Sequence, residues 1–282
     1  MLDSLAMPRP DEQYLALIKK ALLFGLWSEE PGLPVTAMND QRPPLKRWAV
    51  SAASAIFARA GLELATRSRV TDADRQVGRF WPRYAHTMIG AARLNSLQSC
   101  IERALDDGVQ GDLLEAGVWR GGACILMAAV LAARGITDRR VFVADSFRGL
   151  PPPDARAYPQ DAGDRHHERA YLRVSRAEVE ETFRRYGLLS DQIVFLEGWF
   201  SETLPSAPID QLAVLRADGD MYGSTMDVLG TLYQKLAPGG FCVIDDYALP
   251  GCRQATDDFR AANHITPELV TIDWTGVFWR KA

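Results

Sequence analysis

Apolar and polar positions follow two different patterns along the chain, and the change between them divides it into two parts. Apolar residues recur at helical spacing in residues 11–27 and again in residues 48–66, which predicts two helices separated by a proline-rich connection. After a further helical pattern, short apolar runs alternate with helical segments up to the end of the chain. We therefore predict an N-terminal helical extension and lid over residues 1–90, and an α/β domain over residues 91–282.

The larger part contains short apolar runs rich in Val, Ile and Phe, a composition typical of buried parallel strands. Alternation of such runs with helical patterns predicts a doubly wound, mostly parallel sheet. The predicted strands cover residues 112–118, 140–145, 192–197, 211–217 and 240–245, and the predicted helices cover residues 91–107, 121–134, 176–186, 224–236 and 254–262. Two last apolar runs flank Thr275-Gly276, which predicts a terminal hairpin and an at least partly antiparallel edge.

Composition and charge narrow the classes of function. The chain of 282 residues has 24% charged residues and a formal net charge of −4, so it lacks the basic surface typical of nucleic-acid-binding proteins. The acidic balance favours a small-molecule substrate. The four cysteines form no CxxC pair, which favours free thiols in a reducing, cytoplasmic setting.

One long apolar stretch lies in the N-terminal part, and its composition does not fit a membrane span. Residues 48–65 contain Arg59, Glu63 and many small side chains, so we expect no transmembrane segment. The first four residues also lack the basic and apolar regions of a signal peptide. We predict an amphipathic helix packed on the main domain; contact with a membrane surface or a partner is the alternative, and a homo-oligomer is possible.

Two acidic clusters directly follow predicted strands. Asp218 and Asp220 come after the apolar run 212–215, and Asp245-Asp246 follow the run 241–244. Carboxylates past the carboxyl ends of parallel strands lie where open α/β sheets bind their ligands. Because carboxylates that converge in one crevice repel each other unless a cation lies between them, the sequence predicts a site for a hard divalent metal ion.

The first predicted strand leads into a glycine turn, Gly117-Val118-Trp119-Arg120-Gly121-Gly122, which allows a ligand to approach the backbone. The second strand ends in Asp145, at a distance where an acid reaches ribose hydroxyls in nucleotide-binding folds. Together these features favour an adenosyl cofactor. NAD stays possible, but the missing third glycine favours S-adenosylmethionine (SAM), which has no pyrophosphate. Asp145 alone is also explained as a cap for the Ser146-Phe147 segment.

The sequence closely resembles the macrocin O-methyltransferase family, SAM-dependent enzymes that methylate sugar hydroxyls of antibiotics and related natural products. The resemblance covers roughly residues 70–280. It consists of many separate blocks in one order: Trp81-Pro82, Ala85 to Gly90, Gly117 to Gly122, Ala144 to Phe147, Gly149 to Pro153, Gly198 to Phe200, Asp218 to Tyr222, Ser224 to Asp227, Asp245 to Tyr247, Pro250 to Arg253 and Asp257 to Arg260. It implies a class I methyltransferase (Rossmann-like) fold and a metal-assisted active site.

The resemblance also implies where the cofactors bind. It puts the methionine end of SAM near Glu115 and Gly117, the ribose at Asp145, Ser146 beside the cofactor and Trp199 near the adenine. His86, Thr87 and Met88 would belong to a lid over cofactor and acceptor. Asp218, Asp245 and Asp246 match the metal carboxylates of the family, and Mg²⁺ suits them because it prefers oxygen ligands.

Methyl transfer to a hydroxyl also needs a proton acceptor within hydrogen-bond reach of the attacking oxygen. Our first choice is Asp220 or the metal ligand Asp218, and our second is His86. Asp220 is alternatively a cap for the helix that starts near Ser224. His166-His167 lie in a polar loop and are predicted to be exposed, with contact to the acceptor left open.

Two positions depart from the family pattern. Gly223 stands where the family commonly has Glu, and Phe80 stands where it often has Asp. Because these positions can change the acceptor pocket or the lid, the resemblance does not identify the acceptor of this chain. The leading interpretation is a metal-dependent O-methyltransferase that acts on a sugar of a glycosylated natural product. The alternatives are a phenolic, catechol-like or other saccharide acceptor, and a SAM-binding module without turnover.

Overall fold

One mixed sheet organises the part of the chain that the structure, a computed structural model, describes: residues 9–27, 32, 34–36, 42–66 and 70–282. Its seven strands are β1 (Asp112–Ala116), β2 (Val141–Asp145), β3 (Ile193–Glu197), β4 (Leu212–Ala217), β5 (Leu236–Ile244), β6 (Val270–Thr271) and β7 (Val277–Arg280). The first five strands coincide with the predicted apolar runs. β5 begins four residues before its predicted start, because Pro238-Gly239-Gly240 conceals the strand in the sequence pattern.

The strand order is β3-β2-β1-β4-β5-β7-β6. Strands β1 to β5 are parallel, whereas β7 pairs antiparallel with both β5 and β6. The predicted doubly wound sheet with an antiparallel edge is therefore confirmed. The order reverses between β1 and β4, and this switch point opens a crevice at the carboxyl ends of these two strands.

Nine helices are described, and the tight 3₁₀ turns between them are left unlabelled. They are α1 (Pro10–Leu22), α2 (Pro44–Arg59), α3 (Asp72–Val77), α4 (Ala91–Asp106), α5 (Gly122–Ala133), α6 (Arg176–Arg185), α7 (Phe200–Thr203), α8 (Tyr222–Leu232) and α9 (Pro250–Ala262). The two N-terminal helices end before their predicted limits, at Leu22 and Arg59. Phe24 and Gly61 each adopt a positive φ just beyond these ends, which helical backbone does not allow.

The N-terminal segment and the α/β part share one hydrophobic core. Leu15, Ile18 and Leu22 of α1 are buried in the same cluster as the apolar faces of α4 and α5. α5 is almost entirely apolar and nearly all of its residues are buried, because it lies between α1, α4 and the sheet. The first helix therefore has no core of its own.

The second helix differs from the first because it packs nothing into the core. None of its residues is buried, and Leu45, Trp48 and Ile56 are among the most exposed large apolar side chains. This helix therefore contributes no side chain to the described core, and its packing on the main domain stays a prediction. No described helix has the length and apolar character needed to cross a membrane.

Candidate active site

The carboxyl ends of β1, β4 and β5 meet at one side of the switch point. β1 brings Glu115 and the glycine turn, β4 brings Asp218 and Asp220, and β5 brings Asp245 and Asp246. Two cavities open there. They share the residues Met88, Trp119, Leu172, Asp218 and Asp220, so they form two compartments of one crevice.

The first cavity has a volume of about 250 Å³ and lies between the β1 turn and the segment after β3. Its walls include the predicted cofactor residues Met88, Gly117, Asp145, Ser146 and Trp199. These residues are far apart in the sequence, and the structure brings them together.

Gly117 permits the close approach on which this crevice depends. Its φ of +91° lies in the left-handed region, and a Cβ at this position would come within 1.9 Å of the Asp218 carbonyl oxygen. Only glycine allows the turn after β1 to pack directly on the turn after β4. The packing places the cofactor and acidic segments side by side.

Asp145 anchors the same turn with both carboxylate oxygens. One oxygen accepts a hydrogen bond from the Val118 backbone N–H at 2.8 Å, and the other from Phe147 N–H at 2.7 Å. Burial raises the pKa of Asp145, against the lowering effect of these donors. Ser146 Oγ also lies 3.5 Å from Oδ1, and the backbone N–H of Trp119 is a further donor to this carboxylate. The cap predicted for Ser146-Phe147 is therefore present, and it is compatible with ribose binding at the cavity wall.

The second cavity has a volume of about 230 Å³ and contains the acidic groups. Thr87 and Glu115, two more of the predicted cofactor residues, line it together with Asp245 and Asp246. Its remaining walls are mainly aromatic and basic and include Trp81, His166, Arg169, Tyr171 and Trp274. An apolar wall with a few polar groups is typical of small-molecule sites.

Three carboxylates form a possible metal site in this cavity. Asp218, Asp245 and Asp246 each offer an oxygen within 4.8 Å of the oxygens of the other two. Asp246 Oδ2 is buried and has no hydrogen-bond partner. Burial and the charges of Asp218, Asp220 and Asp245 raise the pKa of Asp246 well above its ordinary value. A cation would relieve this repulsion and give the orphaned oxygen a partner, so the residues fit a hard divalent ion.

Two buried arginines compensate part of the negative charge. Arg216 Nη1 contacts Glu115 and lies 2.8 Å from Asp218 Oδ2, while its Nη2 contacts Asp245. Arg93 pairs with Asp245 and with Asp273, the latter at 3.0 Å. Burial tends to raise the pKa of Asp245, but the two guanidiniums outweigh it and lower this pKa below its ordinary value. Asp245 therefore stays ionised without a metal.

The sequence pattern did not indicate a role for Arg216 or Arg93. Arg216 carried a recognisable signal, since a charged residue within the apolar strand Leu212–Ala217 requires a partner. Arg93 carried no such signal. It lies on α4, and its partner Asp245 is 152 residues away in the sequence.

Two further acidic groups of the site have raised pKa values. Burial raises the pKa of Glu115 to about 7, and its Oε2 accepts a hydrogen bond from Cys124 Sγ at 2.8 Å. Burial and the charge of Asp218 raise the pKa of Asp220 to about 7 as well, while His166 opposes the rise. Asp220 has a left-handed φ of +57°. Asp220 was suggested as the cap of α8, but the carboxylate that binds the start of this helix is Asp161.

Asp161 belongs to the loop between β2 and α6 and binds the start of α8. It accepts hydrogen bonds from Tyr222 N–H at 2.7 Å and from Gly223 N–H at 2.9 Å. Tyr158 from the same loop packs on Gly223, where a Cβ would come within 2.6 Å of the ring. Glycine at this departure from the family pattern therefore allows the loop to dock. The other departure, Phe80, is largely exposed.

His86 points away from the acidic groups. Its Nδ1 lies 2.9 Å from Tyr186 Oη on the α6 side, and the side chain lines a separate cavity with Arg120 and Arg185. Burial and these two arginines lower the pKa of His86 to about 4. The structure therefore does not bring His86 to the acidic groups, and this placement favours the aspartates over His86 as the proton acceptor.

Comparison with known proteins agrees with this geometry. The family model of the macrocin O-methyltransferases (TylF) matches residues 11–281. The chain is 50% identical over 222 residues to mycinamicin III 3''-O-methyltransferase of Micromonospora griseorubida, covering 78% of this chain and 87% of the relative. It is 54% identical over 211 residues to 8-demethyl-8-(2,3-dimethoxy-alpha-L-rhamnosyl)-tetracenomycin-C 4'-O-methyltransferase of Streptomyces olivaceus, covering 74% and 81%. It is 51% identical over 212 residues to demethyldecarbamoylnovobiocin O-methyltransferase of Streptomyces niveus, covering 73% and 80%.

Solved structures give the same fold. The O-methyltransferase NovP superposes with a TM-score of 0.80 at 42% identity, covering 96% of this chain and 99% of that one. The calicheamicin methyltransferase CalS11 shares the fold alone, with a TM-score of 0.54 at 18% identity over 98% and 94% of the chains. The fold is that of the class I SAM-dependent methyltransferases, as the sequence predicted. A family model that spans nearly the whole chain, three relatives at least 50% identical over about three quarters of the chain, and an acidic crevice at the switch point lead to one conclusion: this chain is an O-methyltransferase and belongs to the macrocin O-methyltransferase family.

Proposed function

We propose that the enzyme transfers a methyl group from SAM to a sugar hydroxyl of a glycosylated natural product, with the help of a divalent cation such as Mg²⁺. The observation that carries this proposal is the meeting of three carboxylates, Asp218, Asp245 and Asp246, in the second cavity, where Asp218 also lines the first. All three curated relatives are named as O-methyltransferases of natural products, and one name specifies a rhamnosyl sugar.

We place the nucleoside of SAM in the first cavity, with its ribose at Asp145 and its adenine towards Trp199. The methionine end extends past Gly117 and Met88 into the second cavity, near Glu115 and Thr87. This assignment is supported by the residues that line the two cavities. It leaves the aromatic and basic part of the second cavity for the acceptor.

The chain itself performs alignment, which supplies much of the acceleration in displacements of this kind. SAM carries its own leaving group, because the methyl group is bound to a sulfonium. The protein must hold the acceptor oxygen in line with that bond and keep water away. The lid residues Trp81 and Met88, together with Trp119 at the boundary of the cavities, serve this exclusion.

A sugar hydroxyl is a weak nucleophile at neutral pH. We propose Asp218, Asp245 and Asp246 as the ligands of the cation, which when bound would lower the pKa of a hydroxyl and fix its oxygen. Asp246 has an unpartnered oxygen for this purpose. Asp245 keeps its ion pairs with Arg93 and Arg216, which hold the carboxylate in place.

Calorimetry and an activity assay test this function together. Purified, EDTA-treated protein is titrated with S-adenosylhomocysteine and then with MgCl₂. We expect the wild-type protein to bind both S-adenosylhomocysteine and Mg²⁺. The Asp246→Asn variant should bind S-adenosylhomocysteine but not Mg²⁺. Asp191→Asn, which changes an exposed carboxylate, is the matched control.

The activity assay uses SAM, MgCl₂ and three acceptors chosen from the names of the relatives: mycinamicin III, the dimethoxyrhamnosyl tetracenomycin and demethyldecarbamoylnovobiocin. Methylation of at least one of them, abolished by EDTA, is expected. Methylation of a catechol instead of these compounds would move the acceptor to the phenolic class. Full activity in EDTA would remove the metal from the proposal.

A further inference from the structure

A histidine–carboxylate pair lies at the second cavity, on the loop between β2 and α6. His166 Nδ1 is 2.5 Å from Asp164 Oδ2, and Asp164 Oδ1 accepts a hydrogen bond from the His166 backbone N–H at 2.8 Å. Each side chain is 19% exposed. The carboxylate orients the ring and keeps the proton of a neutral imidazole on Nδ1, so that Nε2 is the proton-accepting nitrogen.

The pair belongs to the same compartment as the acidic cluster. His166 lines the second cavity with Asp218 and Asp220. The charged groups around the ring are Asp164 on its own loop, Arg169 from the following turn and Asp220 from the segment between β4 and α8. The histidine and Asp218 therefore face the same compartment, the one that the cofactor assignment leaves for the acceptor.

The loop that carries the pair is fixed to the catalytic side of the sheet. Asp161 binds the backbone N–H groups of Tyr222 and Gly223, two and three residues after Asp220. Tyr158 packs on Gly223 and meets the ring of Tyr222 at a centroid distance of 5.7 Å. Because these contacts tie the loop to the start of α8, the position of His166 is set relative to the acidic segment.

The walls near His166 suit a sugar. Trp81, Tyr171 and Trp274 present aromatic surfaces, and Arg169 adds hydrogen-bond donors. Aromatic surfaces pack against the C–H faces of sugars while polar groups bind their hydroxyls. The histidine is thus on the side of the cavity that the cofactor assignment leaves for the acceptor.

We propose that His166, oriented by Asp164, binds the acceptor hydroxyl and accepts its proton during methyl transfer, in place of Asp220. This inference rests on the proposed function. The hydroxyl proton passes to His166 Nε2, and the oxygen electron pair forms the new O–CH₃ bond. The S–CH₃ bond breaks with its electron pair retained on sulfur, which gives neutral S-adenosylhomocysteine. The imidazolium, stabilised by Asp164, returns the proton to solvent at the exposed edge of the pair.

The test compares His166→Asn, His166→Ala and Asp164→Asn with wild-type enzyme and with His167→Asn, a matched neighbour outside the cavity lining. Rates are measured with SAM, MgCl₂ and whichever of the three acceptors wild type methylates, and S-adenosylhomocysteine affinity is measured by calorimetry. We expect kcat to fall about 100-fold or more in both His166 variants, in line with loss of a general base. Asp164→Asn should lose less, about 10-fold. His167→Asn should stay within about twofold, and cofactor affinity should be unchanged in all variants.

Two readouts separate proton transfer from a structural role. The acidic limb of the wild-type pH–rate profile should disappear in His166→Asn. Imidazole added to His166→Ala should restore turnover, with a rate that depends on the basicity of the imidazole used.

Several outcomes would overturn the proposal. His166→Asn with wild-type kcat, or with a change in acceptor KM alone, would reduce the residue to a binding group. If Asp220→Asn loses activity and His166→Asn retains it, Asp220 and not His166 is the proton acceptor. Wild-type enzyme that binds S-adenosylhomocysteine but methylates none of the acceptors would refute the proposed function itself, and this inference with it.

Discussion

At the scale of single residues, the site is governed by charges that the fold withdraws from water. Arg216 and Arg93 neutralise part of a group of carboxylates, and Asp246 lies outside their ion pairs. A buried charge without a partner is costly, so it either takes up a proton or binds a cation. Asp246 is thus destabilising in the metal-free protein, and its unpartnered oxygen makes it suitable as a metal ligand.

The first prediction at this scale concerns Asp145. Asp145→Ala should weaken S-adenosylhomocysteine binding by about 10- to 100-fold, because the ribose contact and the support of the Val118 turn are both lost. Calorimetry with the natural ligand and with an analogue that lacks both ribose hydroxyls separates the two effects. If the ribose contact is real, wild type should discriminate between these ligands and the variant should not. Equal discrimination by both proteins would move the ribose elsewhere.

The second concerns His86 and pH. The folded-state pKa of about 4 lies below the ordinary value of about 6.5, so unfolding takes up a proton between these limits. The free energy of unfolding should therefore fall as the pH falls from about 6.5 to 4. His86→Gln should remove this part of the pH dependence, on the order of 1–2 kcal/mol after allowance for partial solvent exposure.

Urea denaturation at pH 4.5 and 7.5 measures this effect. Wild type should lose more stability than His86→Gln between the two values. Identical losses in the two proteins would show that His86 titrates normally when folded.

At the scale of elements, the important contact joins the β2–α6 loop to the start of α8. Asp161 provides the acceptors that the first backbone N–H groups of a helix require, although it lies some sixty residues earlier in the chain. The helix therefore depends on the loop for its N-terminal hydrogen bonds, and the loop depends on the helix for its position. The loop that carries His166 and the acidic segment before α8 are therefore coupled through this contact.

The prediction at this scale concerns a steric clash between position 223 and Tyr158, and its removal by a second substitution. Gly223→Ala should drive a methyl group into Tyr158 and lower the free energy of unfolding by about 1–3 kcal/mol, with a raised KM for the acceptor. Gly223→Ala combined with Tyr158→Ala should recover part of both losses, because the clash is gone. Gly230→Ala, in the same helix with open space around it, is the matched control. A single variant with unchanged stability and KM would show that the loop does not pack on Gly223 in solution.

At the scale of the whole molecule, one guanidinium joins three strands. Arg216 extends from β4 and contacts Glu115 of β1 and Asp245 just after β5, so its charge holds together the carboxyl edge of the sheet. Removing one partner of a buried ion network leaves the others uncompensated, which costs about 3–5 kcal/mol. The catalytic edge and the stability of the fold thus depend on the same residue.

Arg216→Met should therefore lower the melting temperature by on the order of 10 °C in metal-free protein at pH 8. Lower pH should reduce the loss, since Glu115 then takes up a proton. Differential scanning calorimetry at pH 8 and pH 6 measures both effects. Arg185→Met, which breaks an exposed ion pair, is the control and should change little. A similar small change in both variants would show that the network contributes little net stability.

The amino-acid sequence by itself determined the sheet, its parallel centre and its antiparallel edge, because short-range patterns of apolar residues, glycine and turn residues encode strands and helices locally. It also determined that Asp218, Asp245 and Asp246 follow neighbouring strands, and parallel strands bring their carboxyl ends to one edge. The helix ends at Leu22 and Arg59 were predicted less well, since single backbone conformations terminate helices without changing the periodicity.

Only the tertiary structure decided the direction of side chains and the contacts between distant segments. It turned His86 towards Tyr186 and brought Arg93 to Asp245, and it docked Asp161 on α8. Each of these contacts joins residues 61 to 152 positions apart, and no local period reports such a pairing. Periodicity states which face of an element is buried, whereas the partner of a buried charge depends on how the elements pack.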